Sequence, residues 1–217
     1  MTQSALQSDE LLNGEPRLCL RKPVPEIALA ARLLDEATTA HLASDRQRAA
    51  KLISLANLEA VREWTESLWG KRSAYNQPRP SANSAQFKSS DNRTKARMPG
   101  AEVKKALLGR DGYHCRFCGI PVIREQVRRR IVAAYPELVL WPRKNTGQHA
   151  GLQAMWAHFD HVLPHSRGGT NDCENMIVTC APCNCARMQY TLEDFNLADP
   201  RLRPPVQSAW DGLERFR

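Results

Sequence analysis

The chain has 217 residues, 42% of them hydrophobic, and a formal net charge of +8, so it has room for one modest domain or two small ones. No apolar run approaches the roughly 18 residues that cross a bilayer, and Met1 to Glu10 is polar and acidic where an export leader is basic and then apolar. The expectation is a soluble, cytoplasmic protein with no membrane span; the basic balance suits a polyanionic partner, yet many soluble proteins are equally basic and bind none.

Residues 1–23 lack periodicity and are expected to be poorly ordered. Residues 24–70 read as an all-α N-terminal region. Pro25 suits a first helical position, and Ile27, Ala30, Ala31, Leu34 and Thr38 recur at steps of three and four, predicting a helix from about 25 to 43. Ser44 followed by Gln47 looks like a cap for a second helix carrying Ala49, Leu52, Ile53 and Ala56. Leu58, Val61, Trp64 and Leu68 continue the pattern to Gly70. A unit this small has little core of its own, so it must pack on the rest of the chain or on a protein partner.

From 71 to 99 the sequence turns rich in Ser, Asn, Pro, Lys and Arg, the composition of a linker. Its Lys71, Arg72, Arg79, Lys88, Arg93, Lys95 and Arg97 either track phosphates or are simply solvated. Residues 100–200 form the second region, with a basic insertion at about 120–157. Glu102 to Leu108 predicts a short helix ended by Gly109, Ile123 to Ala134 a basic amphipathic helix stopped before Pro136, and His149 onward another helical start. Thr191 to Asp194 resembles one more helix start, and residues 201–217 read as a C-terminal tail.

The cysteines are Cys19, Cys115, Cys118, Cys173, Cys180, Cys183 and Cys185, and four of them make two Cys-x-x-Cys knuckles. In a chain with no secretion signal this pattern reads as metal ligation before disulfides. Cys115, Cys118, Cys180 and Cys183 are therefore the expected ligands of one closed, structural Zn²⁺, since the short spacing lets both sulfurs of a knuckle reach the same ion. Such a clamp contributes on the order of 10 kcal/mol to the folding of small modules. Cys173 and Cys185 have no partner at knuckle spacing and read as ordinary thiols.

Between the knuckles lie Phe159-Asp160-His161-Val162-Leu163-Pro164, Gly168-Gly169 and Glu174-Asn175, and Asn184 follows the last knuckle cysteine. Hydrolysis of a phosphodiester needs an activated water, neutralisation of charge on the phosphate and a stabilised leaving oxygen. A histidine can take the proton from water, and Asp160 and Asn184 offer hard oxygens suited to Mg²⁺ or Mn²⁺. Asp160 and His161 are neighbours and would face opposite sides of a regular strand, so both serve one site only if the strand end bends.

In this order and spacing the motifs resemble the HNH endonuclease family, across roughly residues 101 to 197. The resemblance implies an α+β fold with a zinc-bound ββα-metal core: a β-hairpin followed by a helix. It implies His161 as general base, Asp160 as metal ligand on the first strand and Asn184 as metal ligand on the helix. Asn175 would fix the loop between the strands and so orient the base. Many members carry histidines where this chain has Asp160 and Asn184, and the variant here is similar to the HNH domains of RNA-guided CRISPR effectors and many small bacterial nucleases.

The resemblance thus implies a metal-dependent endonuclease acting on DNA, an effector in a bacterial defence or DNA-processing system. Arg128, Arg129, Arg143, Lys144, Arg167 and Arg187 are the expected nucleic-acid contacts; for the insertion, which also carries Arg124 and Arg130, a solvated helix face is the equal alternative. The competing function is a zinc-bound nucleic-acid or protein binding module without catalysis. A homodimer and a protein partner docked on the N-terminal helices are further expectations. His165 reads as a loop residue, and His114 and His158 as structural.

Overall fold

The computed structural model describes residues 15–69, 73–80, 82, 84–93 and 95–217. Lys71, Arg72 and the expected helix stop at Gly70 lie outside them. Among the described residues no helix is long and apolar enough to cross a membrane.

Among the described residues three helices come first: α1 (Glu26–Leu42), α2 (Arg46–Leu55) and α3 (Glu59–Ser67). The α1 stripe of Ile27, Ala30, Ala31, Leu34 and Thr38 is buried, as its periodicity requires. The junction to α2 differs from the expected cap. Ser44 sits at φ 63°, its N–H bonds to the His41 carbonyl, and the Asp45 N–H reaches the Ala40 carbonyl, which is a Schellman termination of α1. Asp45 is then the residue free to cap α2, its carboxylate accepting from the Arg48 N–H at 3.0 Å.

The three helices pack on the rest of the chain. His149 Nε2 bonds to the Ile53 carbonyl at 2.9 Å, Asn57 Oδ1 accepts from the Ala150 N–H at 2.7 Å, and Arg62 reaches the Thr146 and Gln148 carbonyls. Gly151 makes the approach possible, because a Cβ there would lie 2.7 Å from the Ala56 carbonyl oxygen. The stretch just before α1 is tied down too: Arg17 bonds through its backbone to Asn196 and Ala198, Leu20 is buried, and the Trp64 indole donates to the Lys22 carbonyl.

α4 (Ala101–Asp111) runs through Gly109 and stops at Gly112, whose φ is 67°. Gly109 has ordinary helical geometry; the positive φ that ends the helix falls three residues later, where a side chain would be strained. α5 (Glu125–Ala134) follows the first knuckle, and Ile123, expected within that helix, instead bridges Trp156. The short α6 (Ala150–Ala154) leads into β1 (Ala157–His161), which pairs antiparallel with β2 (Met176–Cys180) in the register Ala157 to Cys180 and His161 to Met176. α7 (Ala181–Arg187) begins directly after β2. This is the expected ββα unit. Beyond it the chain makes single 3₁₀ turns at Glu193–Phe195 and Pro200–Leu202, then buries Leu213 and Phe216.

Candidate active site

The two knuckles converge. The sulfurs of Cys115, Cys118, Cys180 and Cys183 all lie within 4.8 Å of one another, and Cys118 Sγ stands 3.7 Å from Cys180 Sγ. A Zn–S distance of ~2.3 Å in a tetrahedron puts sulfurs about 3.8 Å apart, so the spacing fits zinc. Burial first, and the neighbouring sulfurs next, push the Cys180 thiol up; the neighbouring sulfurs do the same at Cys183. Three of the four cysteines are buried and Cys118 is half-buried, and four thiolates this close ionise together only with a cation among them. Cys185 is exposed and outside the cluster.

The first knuckle turns tightly, the Gly119 N–H donating to the Cys115 carbonyl at 2.9 Å, while the Arg116 N–H donates to the Val178 carbonyl on β2. Buried Asp111 at the end of α4 accepts from the Val178 N–H at 2.9 Å and faces Arg110 at 2.7 Å and Arg116 at 3.6 Å. Helix α4, the knuckle and the hairpin are thereby locked to one another.

Residues 158 and 160 alternate onto the face of β1 that α7 crosses. Asn184 Nδ2 meets His158 Nδ1 at 2.8 Å, and Asp160 Oδ2 accepts from Arg187 Nε and Nη2 at 3.0 and 2.8 Å. With its nitrogen turned to His158, Asn184 leaves its amide oxygen available. Arg187 engages a single carboxylate oxygen of Asp160. Burial pushes the Asp160 carboxyl up, and the Arg187 guanidinium works against that rise.

His161 ends β1, beside the loop that Asn175 organises. Asn175 accepts from the Leu163 N–H at 2.8 Å and donates to the Leu163 and Thr170 carbonyls. Gly169 is required there, since a Cβ would fall 1.8 Å from the Leu163 carbonyl oxygen. The residue that touches the His161 ring is Asn171, whose Oδ1 lies 2.8 Å from Nε2. Burial lowers the His161 pKa, so the neutral imidazole is the favoured form near neutrality. His165 stands close by, its ring centroid 5.7 Å from that of His161.

Sequence reasoning passed over two of these residues. His158 was expected to be structural, yet it holds Asn184 and is driven by burial to a pKa of about 4, which keeps it neutral. Asn171 carried no role at all. The strand period, which sets His158 on the Asp160 face, was the available signal for the first; for the second there was only its place in a Gly-Gly-Thr-Asn-Asp turn.

Three of the expected nucleic-acid contacts lie inside the fold. Arg187, 1% exposed, spends its guanidinium on Asp160 and on the carbonyls of His161, Val162 and Tyr190. Arg128, 5% exposed, stacks on Trp141 at 3.8 Å and Trp156 at 4.8 Å. Arg167, 7% exposed, pairs with Asp194 at 3.1 Å, bonds the Gln189 and Ala85 carbonyls and covers the Phe87 ring. Each is a buried cation with internal partners and cannot reach a phosphate without unpacking. Arg129, Arg143 and Lys144 are exposed, Arg129 while pairing with Glu125.

A cleft of about 850 Å³ opens beside Asn184 and His158, with Phe159 and Trp156 as aromatic walls and Lys104 and Lys105 on its α4 side. The basic side chains that face this site therefore come partly from α4, which the sequence had not singled out.

Residues 147–188 match the family model described as HNH endonuclease. The matched segment runs from the turn before α6 to the end of α7 and contains Asp160, His161, Asn175 and Asn184, while the first knuckle lies before it. Neither the curated proteins nor the solved structures return a significant match.

Proposed function

We propose that this HNH domain is the catalytic unit of a metal-dependent endonuclease that hydrolyses phosphodiester bonds in DNA. The observation that carries the reading is the arrangement of Asp160 and His161 at the loop end of β1, with Asn184 on α7 beside the same strand, inside the segment that matches the family. A binding module has no need of a buried histidine and carboxylate side by side at the end of this strand.

Asp160 and Asn184 would hold the ion. One carboxylate oxygen and one amide oxygen form a hard donor set that suits Mg²⁺ or Mn²⁺. Such an ion, held by these two residues, would supply positive charge to offset that developing on the phosphate and the departing oxygen. The rest falls to the protein. His161 takes a proton from the attacking water as general base. Arg187 keeps Asp160 in place and opposes its protonation, and His158 holds the Asn184 amide beside β1. The zinc clamp joins β2 and the start of α7 to the first knuckle, which fixes the helix against the hairpin.

Arg143 and Lys144, together with Lys104 and Lys105 along the cleft, supply the positive surface for the DNA backbone. Plasmid incubated with the protein and Mg²⁺ or Mn²⁺ is expected to be nicked or linearised. His161→Ala is expected to keep its fold and its zinc and to lose cutting by ~10²-fold or more. Asp160→Ala and Asn184→Ala are expected to weaken Mn²⁺ binding by calorimetry. Equal cutting by wild type and His161→Ala refutes the mechanism.

A further inference from the structure

We propose that Asn171, held from behind by the Ala96 carbonyl, is the positioning residue that decides which nitrogen of His161 acts as the base; this rests on the reading of His161 as general base. The Asn171 Nδ2 group donates to the Ala96 carbonyl at 2.6 Å. A backbone carbonyl only accepts, so this bond fixes the orientation of the amide: nitrogen toward Ala96, oxygen toward the ring. Asn171 Oδ1 then lies 2.8 Å from His161 Nε2 and can only accept from it. The proton of neutral His161 is therefore on Nε2, and the lone pair is on Nδ1.

The consequence for the reaction is specific. The attacking water passes its proton to Nδ1, and the electron pair of the broken O–H bond stays on the oxygen. That oxygen bonds to phosphorus as the P–O3′ bond breaks, and the leaving alkoxide takes a proton from solvent water. As the ring becomes cationic its Nε2–H bond to Asn171 turns into a charge-assisted one, so Asn171 stabilises the protonated base more than the neutral one. Asn175 has a different task, since its bonds go to Leu163 and Thr170 and shape the loop.

Residues 84–88, upstream of Ala96, are anchored to that loop and to the turn after α7. Ser84 donates to Asp194 at 2.6 Å, Arg167 bonds the Ala85 carbonyl, Phe87 lies under the Arg167 guanidinium at 4.3 Å, and the Lys88 N–H donates to the Ser166 carbonyl at 2.9 Å. A stretch with the composition of a linker is thus laid against the loop behind the base. A carbonyl placed this way removes the freedom of the Asn171 amide to flip, and with it the freedom of His161 to change tautomer.

The test uses the full-length, zinc-loaded protein with ¹⁵N-labelled histidine. Long-range ¹H–¹⁵N spectra are expected to show His161 as the Nε2–H tautomer in the wild type. Asn171→Leu is expected to give a mixture of tautomers, to keep zinc content and circular dichroism unchanged, and to lower kcat on the order of 10²-fold with KM unaltered. Asn171→Asp, which offers the ring an acceptor oxygen in either orientation but loses the donor to Ala96, is expected to restore the Nε2–H tautomer and part of the rate. An Nε2–H tautomer that persists in Asn171→Leu overturns the proposal, as does a change of tautomer that leaves the rate untouched. Undiminished cutting by His161→Ala overturns the underlying reading instead, so the two failures are told apart.

Discussion

Replacing Asp111 with alanine tests how the hairpin is held. Its carboxylate accepts from the buried Val178 N–H at 2.9 Å and is the anion facing Arg116, whose side chain is 6% exposed, at 3.6 Å. Leaving the amide without an acceptor costs ~1–3 kcal/mol. Leaving a buried guanidinium without its counter-ion costs about 3–5 kcal/mol, at the low end here because Arg116 keeps the Pro200 and Arg203 carbonyls. The two effects share one carboxylate and do not add, so ~3–5 kcal/mol is the expected total. At ~2–4 °C per kcal/mol for a chain of this size, the melting temperature falls by about 6–20 °C. Asp111→Asn keeps an oxygen for Val178 and gives up only the charge, so it is expected to fall between the wild type and the alanine variant. Thermal unfolding of the zinc-loaded proteins by circular dichroism measures both. A melting temperature for Asp111→Ala within about 2 °C of wild type refutes the claim that this carboxylate locks α4, the knuckle and β2 together.

Burial lowers the His149 pKa, and its ring nitrogens already serve the Ile53 carbonyl and the Leu152 N–H. A folded-state pKa below the unfolded one means that its stabilisation is complete above about pH 6.5 and is lost as pH falls toward the folded value. The difference in stability between wild type and His149→Gln, followed from pH 7.5 to 5, is therefore expected to shrink with acidification; a constant difference refutes the assignment. Elemental analysis is expected to find one zinc per chain, lost with the fold in Cys183→Ser or under strong chelation and retained in Cys185→Ser. Arg143→Ala and Lys144→Ala are each expected to lower the slope of log affinity for DNA against log salt by ~0.9, whereas Arg128→Ala leaves the slope alone and lowers the melting temperature. Salt titrations of binding by fluorescence anisotropy separate those two classes.

Much of the site was legible because its signals are short-range. Cys-x-x-Cys spacing lets two sulfurs reach one ion whatever surrounds them, and Asp160-His161 ahead of Pro164 and Gly169 marks a strand end and a tight loop within a dozen residues. The periodic stripe of α1 depended on nothing outside that helix. The boundaries that shifted did so where two local signals competed: Ser44 was drawn into ending α1 and Asp45 took the cap, and Gly109 was passed over for Gly112.

Sequence alone determined which residue types stand at which spacing, and so the four-cysteine cluster, the ββα unit and the candidate base. Only the tertiary structure decided which charges are spent internally and which face outward. Arg128 and Arg143 look alike in a basic stretch, but one is clasped by Trp141 and Trp156 and the other is exposed. Asn171 gains its role from Ala96, 75 residues earlier in the chain. A side chain's charge and hydrogen-bonding capacity are local properties, whereas the partner that uses them is chosen by packing between segments far apart in sequence.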